Sequence, residues 1–161
     1  MRFRRLSSEE LFALETEFKQ FLVVHEQYNE EWRYLAENNP EKAEQFIELF
    51  SDLVLEKVYN QVSFLVHFSK GMVSFFDMSN DPLKAYHIKC PDHLSLQNET
   101  QLETILSNQF EVLQFYFGEK KLMKDKADEV FDLISKGSEV CEDAYFQKYA
   151  KLFSRIEKNQ R

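Results

Sequence analysis

The chain has 161 residues, with 20 Lys and Arg against 28 Asp and Glu, for a formal net charge of −8. That balance disfavours a nucleic-acid surface, because phosphate binding calls for a basic face. Hydrophobic residues make up 43% and charged residues 30%, with 16 Phe but only 3 Gly and 3 Pro, which predicts a single soluble domain with a Phe-filled core and few breaks.

Taken from the N-terminus, MRFRR opens the chain as a short basic cluster read as solvated surface. Ser7 to Phe21 reads as a first helix: Ser7 and Glu10 have capping-box spacing, and Leu11, Leu14, Phe18, Phe21 and Leu22 form an apolar stripe. The continuous FLVV at 21–24 predicts that this helix ends buried. A short second helix follows Asn29, with Trp32 and Leu35 inward and Glu30 and Glu31 favourable in the first turn. The third and longest helix is Pro40 to Gln61. Its apolar residues Ala43, Phe46, Ile47, Phe50, Leu53, Val54 and Val58 fall at helical spacing. Asn39 can accept a hydrogen bond at its entrance, and Pro40 suits the first turn.

The period then changes to two. Val62, Phe64, Val66 and Phe68 alternate with Ser63, Leu65 and His67, the pattern of a half-buried strand. Ser69-Lys70-Gly71 turns into a second strand, Met72 to Met78, and Ser79 to Pro82 into a third, Leu83 to Lys89. Short links between three strands predict an antiparallel meander. Asn98 and Gln101 cap a helix running to about Asn108. Glu111 to Phe117 reads as a fourth strand stopped by Gly118, exposed at a sheet edge where it would invite homodimer pairing. Two helices close the chain: Lys121 to Ser135, ended by Gly137, and Glu142 to Lys158. The fold expected is α+β: three N-terminal helices, a three-stranded antiparallel meander plus a fourth strand, and two C-terminal helices packed on the sheet, within one domain, 1–161.

The pieces RRL followed by EEL, then EEW, then PEKAEQFIELFSDLV, then HFSK are familiar in combination. Together they resemble a family of short, uncharacterised bacterial proteins, a domain of unknown function found in Bacteroidota. The resemblance covers nearly the whole chain and is strongest over residues 1–77. It implies a small soluble domain, with no activity, cofactor or catalytic residue to carry over.

Residues that could carry chemistry are few. In YHIKCPDH, residues 86–93, His87, Cys90 and His93 are spaced three apart, with Asp92 a further oxygen donor; imidazole and thiolate suit Zn²⁺. No second C-x-x-C or H-x₃-H pair supplies the remaining ligands. Cys90 could instead act as a nucleophile with His87 or His93 as base, and His67 is a candidate neighbour across the meander. The inert alternative is a strand-end histidine and a half-buried thiol. Glu41, Glu44, Glu48, Asp52 and Glu56 lie on one side of the long helix, where carboxylates could hold a metal or work as acid and base. Water on an amphipathic helix explains the same stripe, although it could also meet a basic partner surface. Trp32, Tyr28, Tyr34 and Tyr59 could form an aromatic hot spot or ordinary core and rim. EKKLMKDK near 119–126 is a second basic cluster, again interrupted by acids.

No Gly-rich phosphate loop, H-E-x-x-H or G-x-S-x-G occurs. No run approaches the roughly 18 apolar residues of a membrane span, and no signal-peptide pattern opens the chain. Two cysteines, Cys90 and Cys141, give no disulfide framework and predict a reducing compartment, the cytoplasm. The functional expectation is a small cytoplasmic protein-interaction or regulatory module without catalysis or cofactor, engaging a protein partner or its own copies. The alternative is a ligand- or metal-binding protein or enzyme using His87, Cys90 and His93.

Overall fold

Ser7 opens the first helix as its spacing predicts. Its hydroxyl accepts from the Glu10 N–H at 3.1 Å, and the Glu10 carboxylate accepts from the Ser7 N–H at 2.7 Å. The computed structural model describes residues 1–159, and they gather into two compact units, Met1–Val58 and a second beginning at Tyr59.

The first unit is helical. The helix expected from Ser7 to Phe21 is two: α1 (Ser8–Ala13) and α2 (Glu15–Val24), parted at Leu14, whose φ of −107° and ψ of 23° leave the helical range. Phe21 and Leu22 are buried, but Val23 and Val24 face outward, so the end of α2 stays amphipathic rather than sinking whole into a core. Then follow α3 (Asn29–Asn38) and α4 (Pro40–Gln61). The Asn39 side chain accepts from the Lys42 N–H at 3.1 Å, as its place before Pro40 predicts. The Phe surplus is spent here on ring contacts: Phe18 lies 5.0 Å from Phe50 and 5.3 Å, edge-on, from Trp32.

On α4, Ala43 and Phe50 are buried as expected, but Leu53 and Val58 are about half exposed, and Ser51 and Leu55 are buried instead. Steps of four along 43, 47, 51 and 55 define the inward seam. The expected stripe keeps to one side of the helix, whereas a step of four advances about 40° past a full turn, so the buried seam winds around α4 toward its end.

The second unit is built on a sheet. Strands β1 (Phe64–Ser69), β2 (Met72–Asp77) and β3 (Leu83–Lys89) form the antiparallel meander. Gly71, at φ 76°, makes the tight link that a side chain would strain. Helix α5 (Glu99–Asn108) is capped by Asn98, whose side-chain oxygen accepts from the Gln101 N–H at 3.0 Å. Strand β4 (Gln114–Lys120) begins later than expected because residues 110–112 coil into a 3₁₀ turn. Gly118, expected as its stop, lies inside the strand opposite Ala85. Helix α6 (Lys126–Ser135) ends at Gly137, with φ 98°, as expected. A two-residue strand β5 (Glu139–Val140), too short to show a period, precedes α7 (Asp143–Asn159).

The sheet order is β4-β3-β2-β1-β5, antiparallel throughout. Side chains alternate between its faces. Val66, Phe75, Ile88 and Cys90 join Leu102 and Ile105 of α5 and Phe146, Tyr149 and Phe153 of α7 in one core. Phe64 stacks on Phe146 at 4.3 Å and Phe75 on Tyr149 at 4.6 Å. The opposite face carries Leu65, His67, Ser74, Phe76, Ala85, His87 and Tyr116. The α+β architecture is therefore as read from the sequence, with a fifth strand added at one edge.

Candidate functional site

The cross-strand register decides the fate of the histidine–cysteine cluster. His87 pairs with Ser74, which pairs in turn with His67. The His87 Nδ1 lies 2.7 Å from the Ser74 hydroxyl, its ring meets Phe76 edge-on, and burial pulls its pKa down. Cys90 sits just past the strand on the opposite, helix-covered face, 1% exposed. Its N–H donates to the Gly71 carbonyl at 2.9 Å, and burial pushes its thiol pKa up. Three positions along an extended chain place two side chains on opposite faces, so His87 and Cys90 diverge. His93 and Asp92 are exposed in the following turn. Among the described residues no three His, Cys, Asp or Glu side chains group so as to hold a metal ion.

His67 shares a face with His87, two strands away, with Ser74 of β2, 3% exposed, between them. Among the described residues, the buried His67 Nδ1 has no hydrogen-bond partner. Its ring lies close against Gly137, where an added Cβ would stand 3.4 Å from Cε1.

In the first unit, the acidic stripe and the opening basic cluster satisfy each other. Arg2 reaches Glu56 at 2.6 Å. The backbone N–H groups of Arg2 and Phe3 donate to the two Asp52 oxygens at 2.6 and 2.9 Å. Arg5 pairs with Glu44, which raises the arginine's pKa. The basic cluster keeps the surface position expected of it, since Arg2, Arg4 and Arg5 are exposed, but it is paired there as the N-terminal segment lies along α4. The second basic cluster behaves similarly, with Lys120 on Glu129 at 2.5 Å and Lys124 on Asp132.

The aromatic group divides. Tyr28 and Tyr34 are exposed, Trp32 is half-buried against Phe18, and Tyr59 is buried near Phe131 at 5.8 Å.

Two features of the second unit had no sequence signal, or only a partial one. A cavity of about 500 Å³ opens beside β5, lined among others by Phe68, Glu99, Glu139, Cys141, Glu142 and Tyr145. Burial raises the Cys141 thiol to about 11 and pushes the Tyr145 hydroxyl up as well. Nothing in the spacing of these residues brings them together; the two-residue β5 does.

The other feature is the outer edge of β4. The Cys90–Gly71 bond fixes which residues of β3 point toward β2, and the alternation of an antiparallel ladder then assigns the rest. Gln114, Tyr116, Gly118 and Lys120 bond to β3, while Phe115, Phe117 and Glu119 turn their N–H and C=O groups outward. Among the described residues these outward groups have no backbone partner. Tyr116 is 49% and Phe117 45% exposed on the same strand. The edge position agrees with the expectation for the fourth strand, although the strand itself is displaced by three residues.

Among comparisons with known proteins, a model described as "Family of unknown function (DUF6495)" matches residues 1–154. No curated protein and no solved structure matches.

Proposed function

The chain belongs to this family of unknown function, DUF6495, and on that premise we propose that it is a small non-catalytic protein-interaction module of a bacterial cytoplasm. The observation that carries this reading is the open β4 edge, a seven-residue strand with outward backbone groups and exposed aromatic rings. Such an edge is a template for another strand: main-chain hydrogen bonds supply affinity and the rings supply contact area. Free Cys90 and Cys141 suit a reducing compartment. Among the described residues no helix is long and apolar enough to cross a membrane, and the opening arginines are engaged by acids of the chain itself.

Glu119→Pro tests the reading cleanly. The Glu119 N–H points outward, so proline removes an edge donor and leaves the ladder to β3 intact. Native mass spectrometry of the protein, purified gently from its host, should show a stoichiometric protein complex that this variant loses. A bound small molecule retained equally by parent and variant, with no protein complex, would overturn the reading in favour of a ligand binder. The cavity beside β5 supports that second reading better than His87, Cys90 and His93 do.

A further inference from the structure

We propose that the strand that covers the β4 edge is β4 of a second copy, paired antiparallel about a two-fold axis at Phe117; this rests on the interaction reading above. A two-fold interface demands that one surface be complementary to itself, and β4 meets that demand residue by residue. With Phe117 opposite Phe117 of the other copy, Phe115 stands opposite Glu119, and the outward residues fall on hydrogen-bonded positions. Each such pair exchanges both N–H···O=C bonds. Tyr116 and Gly118 then face each other at the closer, non-hydrogen-bonded positions, twice, once on each side of the axis.

Two independent observations fit that register. Gly118 has open space where a side chain would stand, and the 49% exposed Tyr116 ring is the size to cover it; an aromatic residue over a cross-strand glycine is a recognised way to restore packing there. The charges also agree. Gln114 stands opposite Lys120, Glu119 opposite Phe115, and Lys121 opposite Leu113, so no like charges meet directly, as they would if the register slipped to put Glu119 or Lys120 opposite itself. The half-exposed Phe117 rings meet at the axis and extend the Tyr86–Phe117 contact, 5.1 Å in each copy. The result is one continuous sheet through two molecules, with both β4 edges closed.

The purified full chain tests this by light scattering and native mass spectrometry over a wide concentration range. The expected mass is twice the chain's 19.3 kDa, falling to a single chain in Glu119→Pro and in Phe117→Lys, with circular dichroism unchanged. The register has its own test. In the double variant Tyr116→Cys, Gly118→Cys, mild oxidation should give a reducible covalent dimer, because non-hydrogen-bonded pairs bring Cβ atoms within disulfide reach. Tyr116→Cys alone should not cross-link, since its partner is glycine. A single-chain mass at every concentration, a dimer indifferent to both edge substitutions, or a cross-link in the single cysteine variant would each overturn the proposal. A host complex that Glu119→Pro still abolishes would leave the interaction reading standing while this one fell.

Discussion

The two thiols illustrate how far a residue's chemistry is set by its surroundings. Cys90 is sealed in the helix-covered core and Cys141 is half-buried beside the cavity, and burial raises both pKa values, Cys141 to about 11. The thiolate is the reactive form, so both should react slowly at neutral pH. Peptide mapping after brief iodoacetamide treatment should find Cys141 labelled before Cys90, and both labelled fully only after denaturation; the reverse order would contradict the assigned burial. Glu10 shows the opposite shift. Hydrogen bonds from the Arg4 side chain and then the Ser7 backbone hold its carboxyl down to about 2 from 4.5. A depressed carboxylate stabilises the fold above its unfolded pKa, and that contribution fades as pH falls from about 4.5 through about 2. Ser7→Ala should cost about 1 kcal/mol at neutral pH. In urea titrations, Glu10→Gln should flatten the pH dependence within that acidic window.

Among the elements, α4 shows how one buried hydroxyl can fix a terminal segment. Ser51, fully buried, accepts from the Leu6 N–H at 3.1 Å and donates to the Ile47 carbonyl at 2.7 Å. Ser51→Ala leaves the Leu6 N–H without its acceptor, and a buried donor without a partner costs about 1–3 kcal/mol. The drop should appear in the denaturation midpoint with the slope unchanged. The Arg2–Glu56 and Arg5–Glu44 pairs on the same helix are part-exposed, so removing either guanidinium should change stability by less than about 1 kcal/mol. An Arg5→Ala loss larger than that of Ser51→Ala would reverse this ranking.

For the molecule taken whole, the two faces of the sheet decide what chemistry is open to it. His87 and Cys90 occupy opposite faces and His93 lies in an exposed turn. Added zinc or a chelator should therefore leave the thermal unfolding midpoint of the full chain unchanged. A stoichiometric shift removed by His87→Ala would show that the ligands had converged after all. How much of this was legible beforehand differs by feature. The capping box, the entrance at Asn39, the 40–61 helix and the third strand were readable because their signals are local: a cap spans four residues, and a period shows within a few turns. The β4 boundary is displaced from its expected place because glycine ends a strand only where the backbone must leave the ladder, and Gly118 stays in it opposite Ala85. The divergence of His87 and Cys90 was readable in principle from the strand period alone.

By itself the sequence determined the local structure, the α+β class, and a Phe-rich interior, since propensity, caps and periodicity act between near neighbours. Tertiary structure alone decided which charges meet, that β5 exists, and which residues of β4 turn their backbone groups outward. Those depend on register and strand order, which join residues distant in the chain through hydrogen bonds that any sequence can make.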